Sequence, residues 1–362
     1  MNAKPTILHI IGSDFFGSPE RLIVGQIGNI PEFEFICASF VKRHSKNELL
    51  SAANSMGYRA EAIEDNFIFD PTIPARIRSL VDKYEVSLMV SHGYKADIYG
   101  FLARRRRTIP QAAYFHGWTQ ENLKMRIYNM IDRKVLPNLD SIIAVSGASA
   151  DTLIRHGVQK DKIRVVYNAI EIDDNIREPS RTVKKKPTIG VIGRLSYEKG
   201  VHVFIRALAE IIKDAGDFKA EIYGDGGELE NLKRLAKELK IADSVRFMGF
   251  TDDIDKAYEN TDFLVIPSLS EGHPLVILEA WKHGLGIVAT RAGGIPEIID
   301  DGVNGILVEA DNHRLLAAAI LKALNDREKM NSMGKSGFNK LKEKYNTKVH
   351  YEKLAGIYTS LI

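Results

Sequence analysis

The sequence predicts an α/β protein built from two doubly wound, parallel-sheet halves in tandem, and three observations predict it. At 362 residues the chain exceeds what one compact core normally spans, so two domains are expected. Short apolar runs alternate with helical stretches along nearly the whole chain, the pattern of parallel sheets covered on both faces. The alternation breaks once, at 172–186, where Asp, Asn, Pro, Ser and Lys crowd together as they do in linkers. The expected organisation is a first domain at 1–178, a linker at 179–186 and a second domain at 187–344. A last helix at about 345–362 is expected to pack back on the first domain.

In the first half, Thr6–Ile11 is a short apolar strand that runs into Gly12–Glu20, a glycine-containing loop, and then into helical Glu20–Asn29. Ligands bind at such strand–loop–helix junctions in doubly wound sheets. Phe33–Phe40, Val86–Ser91, Gln111–Phe115, Ser141–Val145 and Ile163–Val166 read as further strands. Helical stretches separate them at Asn47–Met56, Pro74–Tyr84, Ala96–Arg106, Lys124–Leu136 and Ser149–His156. In the second half the strands are Thr188–Ile192, Ala220–Tyr223, Val245–Phe247, Phe263–Ile266, Gly286–Ala289 and Ile306–Val308. Its helices are Val201–Ile212, Glu228–Leu239, Ile254–Asn260, Leu275–His283 and Leu315–Leu324.

Hydrophobic and charged contents of 44% and 27% are those of a soluble globular protein. The single cysteine, Cys37, excludes an intrachain disulfide and fits a reducing cytoplasm. The apolar run Ile7–Ile11 is too short for a signal-peptide core or a membrane span, so a cytoplasmic location is expected. A net charge of +3 is too small for nucleic-acid binding by bulk electrostatics, and the dense basic patches are local, at Arg104–Arg107 and Lys184–Lys186.

The second half carries the chemistry. Ser268–Ala280 passes from a strand through a Gly272/Pro274 turn into a helix, with Glu271 in the loop and Glu279 on the helix. Eight positions of helix would separate the two carboxylates by about 12 Å, and less with a turn between them. The helix N-terminus between them attracts an anion, so a ligand with hydroxyls at both ends and a phosphate in the middle fits. The alternative is a first-turn acid and a solvated helix residue. In Gly193–Gly200, Arg194 offers a planar fork and Lys199 a point charge to a diphosphate, or both are solvated loop cations.

Tyr223–Leu229 partly matches a dinucleotide fingerprint but has Leu229 where the third glycine belongs, and reads better as a loop whose backbone lines a shared cleft. Asp253 and Asp255 have the spacing of a metal-binding pair, against the better reading of a helix start with Asp252 or Asp253 as N-cap. His116 follows a strand of the first half. There it could donate to a ligand hydroxyl or a developing charge, or serve as an ordinary loop histidine.

In family order, Gly193-Arg-Leu…Glu-Lys-Gly200, Glu271-Gly-His-Pro-Leu-Val-Ile-Leu-Glu279 and Gly293-Gly-Ile-Pro-Glu297 with Asn304-Gly-Ile-Leu307 resemble the retaining nucleotide-sugar glycosyltransferases of GT-B architecture, glycosyltransferase family 4. The resemblance implies two Rossmann-like domains facing each other across a cleft. It implies transfer of a sugar from a UDP- or GDP-type donor to a saccharide or lipid-linked acceptor in polysaccharide, lipopolysaccharide or glycolipid biosynthesis, with no cofactor and no metal. Carried over by position, Arg194 and Lys199 hold the diphosphate, Glu271 the donor sugar and Glu279 the ribose. Gly193 and the backbone from Gly272 through His273, Pro274 and Leu275 to Val276 support sugar and phosphate. His116 matches the histidine near the transferred sugar, and Val145-Ser146 and Val166…Asn168 match weaker positions.

One departure is clear. Gly17-Ser-Pro-Glu20 replaces the usual Gly-Gly pair, so the phosphate contact there is lost or falls to Gly17 and Ser18. His273 also stands where an apolar residue is common. Three other functions compete: an epimerase of the same fold, a dinucleotide-dependent oxidoreductase suggested by Gly224–Gly227, and a non-catalytic nucleotide-sugar binder. On the acceptor side, Arg104–Arg107 and the helix Lys124–Leu136 suit peripheral contact with an anionic membrane, or a dipole-complementing helix end and a core-facing helix.

Overall fold

The computed structural model describes residues 4–362 except 14, 15, 43, 44, 68, 105–108, 119–122, 174, 214 and 216. It divides into two compact units, Met1–Asn168 with Thr347–Ile362, and Ala169–Asn346.

The first unit runs β1 (Thr6–Ile11), α1 (Ser18–Asn29), β2 (Glu34–Val41), α2 (Glu48–Ser55), β3 (Arg59–Glu64), α3 (Ile73–Lys83), β4 (Val86–His92), α4 (Tyr94–Arg104), β5 (Gln111–Phe115), α5 (Leu123–Val135), β6 (Ser141–Ala144), α6 (Gly147–Arg155) and β7 (Ile163–Val165). The strands form one parallel sheet in the order β3-β2-β1-β4-β5-β6-β7. Every residue of β1 is buried, as a central strand covered on both faces requires. Leu8 and Ile10 pack with Ile77, Val81 and Ala96 of α3 and α4, while Ile11 packs with Ile23, Val24 and Leu49 of α1 and α2.

The edge strand β3 was not expected. Its sequence, Arg-Ala-Glu-Ala-Ile-Glu, buries only Ile63, so no apolar run announces it. Pairing with β2, from Ile36↔Arg59 to Val41↔Glu64, supplies the order that local composition does not.

The second unit runs β8 (Thr188–Ile192), α7 (Val201–Ile211), β9 (Lys219–Tyr223), α8 (Leu229–Glu238), β10 (Val245–Gly249), α9 (Ile254–Asn260), β11 (Phe263–Ile266), α10 (Leu275–Lys282), β12 (Gly286–Thr290), α11 (Ile295–Ile298), β13 (Ile306–Val308), α12 (His313–Asn325) and α13 (Arg327–Lys344). Its parallel sheet has the order β10-β9-β8-β11-β12-β13, which reverses direction between β8 and β11. In open α/β sheets ligands bind outside the carboxyl ends of the strands at such a reversal.

The expected linker at 179–186 is not a free connection. Arg181 lies against α9 and α10, donating to the carbonyls of His283 at 3.1 Å, Glu259 at 3.2 Å and Thr261. It thereby caps two helix C-termini, where a cation is favoured. Asn331 donates to the Arg181 carbonyl at 3.2 Å. Residues 169–186 therefore belong to the second unit, and the boundary lies ten residues earlier than position 178.

Helix α13 was also missed, because it is polar overall and carries Gly334 and Gly337. Those glycines admit close packing. A Cβ at 334 would lie 2.1 Å from the Gly284 carbonyl oxygen, and one at 337 would lie 2.2 Å from the Trp281 indole nitrogen. The last helix, α14 (Thr347–Leu361), returns to the first unit. There the Tyr351 hydroxyl donates to the Leu22 carbonyl at 3.2 Å and that of Tyr358 to Gln26 Oε1 at 2.8 Å.

Candidate active site

The loops that leave β8 and β11 meet at the point where the strand order reverses. After β8, residues 193–200 form a loop that ends in one tight turn at Tyr197–Lys199, then Gly200 in a left-handed conformation (φ 63°), then α7. A Cβ at Gly200 would lie 2.0 Å from the Pro267 carbonyl oxygen, so only glycine lets this loop press against the one after β11. Leu269 N donates to the Glu198 carbonyl at 2.8 Å and ties the two loops together.

This contact places Lys199 Nζ 2.7 Å from Glu271 Oε1, with side-chain exposures of 28% and 9%. The Ser268 hydroxyl, held by its own buried backbone, donates to the same oxygen at 2.7 Å. From the next strand, the Thr290 hydroxyl donates to the Ser268 carbonyl. Gly294 N donates to the Glu271 carbonyl at 3.1 Å, and Gly293 (φ 53°) passes so close that a Cβ there would sit 1.8 Å from that oxygen. The Gly-Gly pair after β12 is therefore the backbone seat of Glu271.

Arg194 is more exposed and pairs with Glu198 at 3.0 Å, and the Ser196 hydroxyl donates to the same Glu198 oxygen at 2.7 Å. Burial pushes the Glu198 carboxyl up. The Ser196 hydroxyl, a backbone N–H, Arg194 and Lys199 together outweigh it and hold the group below its ordinary value. Gly193, Arg194, Lys199, Ser268, Glu271 and Val276 line a shallow, solvent-open recess.

Helix α10 begins at Leu275 after Pro274, so Glu271 precedes it by four residues and is not a first-turn acid. With no acid in its first turn, the N–H groups of that turn are offered to a ligand at the end of the dipole. Glu279, one turn further, is half-buried and accepts from the Tyr258 hydroxyl at 2.7 Å. His273 and Pro274 are buried, and the His273 ring lies 5.3 Å from that of Tyr345.

The loop after β9 meets the β8 loop by backbone alone: Leu195 N donates to Asp225 O at 2.8 Å and Glu228 N to Leu195 O at 3.0 Å. A Cβ at Gly224 would lie 1.9 Å from the Gly193 carbonyl oxygen, so the glycines that suggested a dinucleotide serve loop packing. Asp253 is the N-cap of α9, accepting from Lys256 N at 3.2 Å, and Asp255 pairs with His283 at 2.9 Å, which accounts for that acidic spacing.

Three expected residues lie in the first unit. His116 follows β5 with its ring exposed and stacked 5.8 Å from that of Tyr114. The protein around it pushes its pKa down to about 4. With its pKa lowered, the imidazole is neutral near pH 7. Gly17 is the N-cap of α1, and its N–H donates to Glu20 Oε2 at 3.1 Å, so this backbone donor is taken up by the chain's own carboxylate. The Ser18 side chain and Arg105–Arg107 lie outside the described residues. Ser146 is the N-cap of α6.

Sequence reasoning missed Ser268, Thr290, Tyr258 and Glu198. Ser268 carried a signal, since it stands three residues before Glu271 at a loop's exit from a strand. Tyr258 carried none, because it reaches Glu279 from a different helix.

Two family models match consecutive parts of the chain: Glycosyltransferase Family 4 over residues 36–174 and Glycosyl transferases group 1 over residues 172–340. A D-inositol 3-phosphate glycosyltransferase of Corynebacterium kroppenstedtii is 28% identical over 70% of this chain, and the match spans 63% of that protein. An uncharacterized glycosyltransferase of Methanocaldococcus jannaschii is 34% identical over 46% of this chain and 46% of its own length. The chain thus spans about half to two thirds of these curated relatives. Among solved structures, Anabaena Alr3699/HepE in complex with UDP and glucose superposes with a TM-score of 0.84 at 21% identity, covering 98% of this chain and all of that one.

Proposed function

Because the two family models together account for residues 36–340 and the fold is that of the GT-B structures, the chain belongs to the GT-B glycosyltransferases of family 4 type, and on that premise we propose that it moves a sugar from a nucleoside-diphosphate donor to an acceptor hydroxyl with retention at the anomeric carbon. The observation that carries the reading is the Lys199–Glu271 pair at the strand reversal, beside the open N-terminus of α10. The C1–O bond to the diphosphate breaks, leaving its electron pair on the phosphate. The acceptor oxygen bonds to C1 from the same face, and its proton passes to a phosphate oxygen. Positive charge grows on the sugar ring and negative charge on the departing diphosphate. Lys199, Arg194 and the α10 N–H groups are preorganised for the second charge. They supply locally what a divalent ion supplies elsewhere, so the reading needs no metal. Glu271 holds sugar hydroxyls, Glu279 the ribose, and neutral His116 donates to the transferred sugar. UDP is the first donor base to try, by likeness to the Anabaena protein with its UDP.

The test is a panel of UDP- and GDP-sugars scored by thermal stabilisation, donor hydrolysis and transfer, with and without EDTA, repeated for Glu271→Ala and Lys199→Ala. An isomerised donor with no glycosidic product favours the epimerase. Stabilisation by NAD but by neither UDP nor GDP sinks the reading.

A saccharide or lipid-linked acceptor at an anionic membrane surface is favoured by one observation. Helix α5 buries Tyr128, Asn129 and Asp132 but leaves Ile127 and Met130, 38% and 58% exposed, beside exposed Arg126 and Lys134. No helix among the described residues is long and apolar enough to cross a membrane. Co-sedimentation with anionic vesicles at low salt is expected and should fall at high salt; its absence at low salt rules the contact out.

A further inference from the structure

In the first unit, a buried polar system that the transfer chemistry does not use ends on the loop that carries His116. Asp97 on α4 and Asp132 on α5 are 3% and 2% exposed, and the charge of Asp132 reaches Asp97, so burial and mutual repulsion oppose ionising both. The Ser91 hydroxyl of β4 donates to Asp97 Oδ1 at 2.5 Å, and Gln111 of β5 donates to Ser91 Oγ at 3.0 Å. On the other side, Trp118 Nε1 donates to Asp132 Oδ2 at 2.8 Å.

Trp118 stands two residues after His116, across Gly117 at φ 107°. Its ring packs edge-on against Phe115 at 4.8 Å and His156 at 4.7 Å, with the Arg133 guanidinium 4.7 Å from its centre. The tripeptide 116–118 therefore has an exposed imidazole at one end and a fixed indole at the other.

We propose that Trp118 is a positioning residue for His116, anchored by its indole N–H to the Asp132 carboxylate, and that protonation of this buried carboxylate, close to Asp97, makes the anchor depend on pH. The proposal rests on the reading that His116 serves sugar transfer. Burial raises both carboxyls. Asp97, raised further by the neighbouring Asp132 charge, stays protonated, while Asp132 loses its proton at about 6. The ionised Asp132 is the stronger acceptor for Trp118, so the anchor holds above that value and loosens as pH falls through it. Among the described residues, the charged and titratable groups facing the pair are Arg133 beside Asp132 and, across the indole, His156. Displacing a reacting group by about 1 Å costs on the order of a hundred-fold in rate.

The experiment measures kcat, donor KM and the pH dependence of each from about pH 5 to 8 for wild type, His116→Ala, Trp118→Phe and Asp132→Asn. It also records the tryptophan fluorescence difference between wild type and Trp118→Phe over the same range. The expected result is a wild-type kcat that falls below a midpoint near 6, tracking the fluorescence difference, with donor KM nearly constant. Trp118→Phe and Asp132→Asn should lower kcat at pH 7 about ten- to a hundred-fold and abolish that limb. Should Asp132→Asn not fold, the wild-type limb and its loss in Trp118→Phe decide. If His116→Ala costs activity while Trp118→Phe keeps both kcat and the limb, the proposal is wrong. If His116→Ala costs nothing, the reading of His116 falls and the positioning role with it.

Discussion

The Lys199 ammonium lies 2.7 Å from Glu271 Oε1, and the Ser268 hydroxyl donates to that same oxygen. The carboxylate is nearly buried and the ammonium is not, so the pair is asymmetric: the charge that needs its partner is Glu271. Removing one partner of a buried pair costs more than the pair contributes, because the survivor is left uncompensated. Lys199→Ala should therefore lower kcat by roughly 10²-fold, as loss of one preorganised donor does, and should also lower thermal stability. Glu271→Gln keeps a carbonyl for Ser268 and should lose activity with little loss of stability. Kinetics and melting curves of the two variants check this; equal stability losses in both would contradict the asymmetry.

Gly293 is where the loop after β12 touches the Glu271 backbone. Alanine there meets a carbonyl oxygen at 1.8 Å and also demands a left-handed conformation, φ 53°, that costs about 1–3 kcal/mol for a residue with a Cβ. Gly293→Ala should reduce donor affinity although residue 293 does not line the recess. Isothermal titration with a UDP-sugar reads this, and wild-type affinity in the variant would sink the seat assigned to the glycine pair.

How much of this was legible beforehand follows the range of the interactions. Strands such as Thr6–Ile11, Gln111–Phe115 and Phe263–Ile266 are short and mostly apolar, and their bounds could be read directly. β3 and α13 could not be read, because their order comes from a neighbour: β2 pairs with β3, and Trp281 of α10 and the Gly284–Leu285 backbone after it receive the glycines of α13. Within the site, the loop position of Glu271 and the helix position of Glu279 follow from a local Gly/Pro signal. The partner Ser268 lies in the same loop, whereas Thr290 and Tyr258 arrive from another strand and another helix. The same limit hid the Arg181 contacts, since a cation in a polar tract looks solvated until the two helix ends it caps are folded beside it.

Tyr258 offers a test of the ribose assignment. It is a buried residue of α9 whose hydroxyl donates to Glu279 Oε2 at 2.7 Å, and its ring stacks 5.2 Å from that of His283. Phenylalanine keeps the stack and removes the donor. A hydrogen bond to a charged group contributes about 1.5–3 kcal/mol, so Tyr258→Phe should raise donor KM by roughly ten-fold or more while kcat at saturation changes little. A deoxyribose donor should show a smaller ratio between variant and wild type if Glu279 meets the ribose hydroxyls. An identical ratio for both donors would move Glu279 out of the donor site.

Stability in acid should be governed in part by a histidine pair under α14. His9 Nδ1 lies 2.9 Å from His92 Nε2, the rings stack at 5.2 Å, and both side chains are buried. One ring donates and the other accepts, so the contact is lost when both are protonated, and burial disfavours the charged form of either ring. Burial pushes the His9 pKa down to about 3 from its ordinary 6.5, and burial, followed by the influence of His9 and His116, lowers that of His92. With the folded value below the unfolded one, the unfolded chain takes up a proton first as pH falls. Stability is then complete above about 6.5 and declines steadily toward about 3. His9→Phe removes one of these groups. It should lower stability at neutral pH by leaving His92 without its partner, yet flatten the decline between about pH 6.5 and 4. Urea midpoints at several pH values for both proteins measure this, and parallel declines would show that the His9 proton is not the one that unfolding takes up.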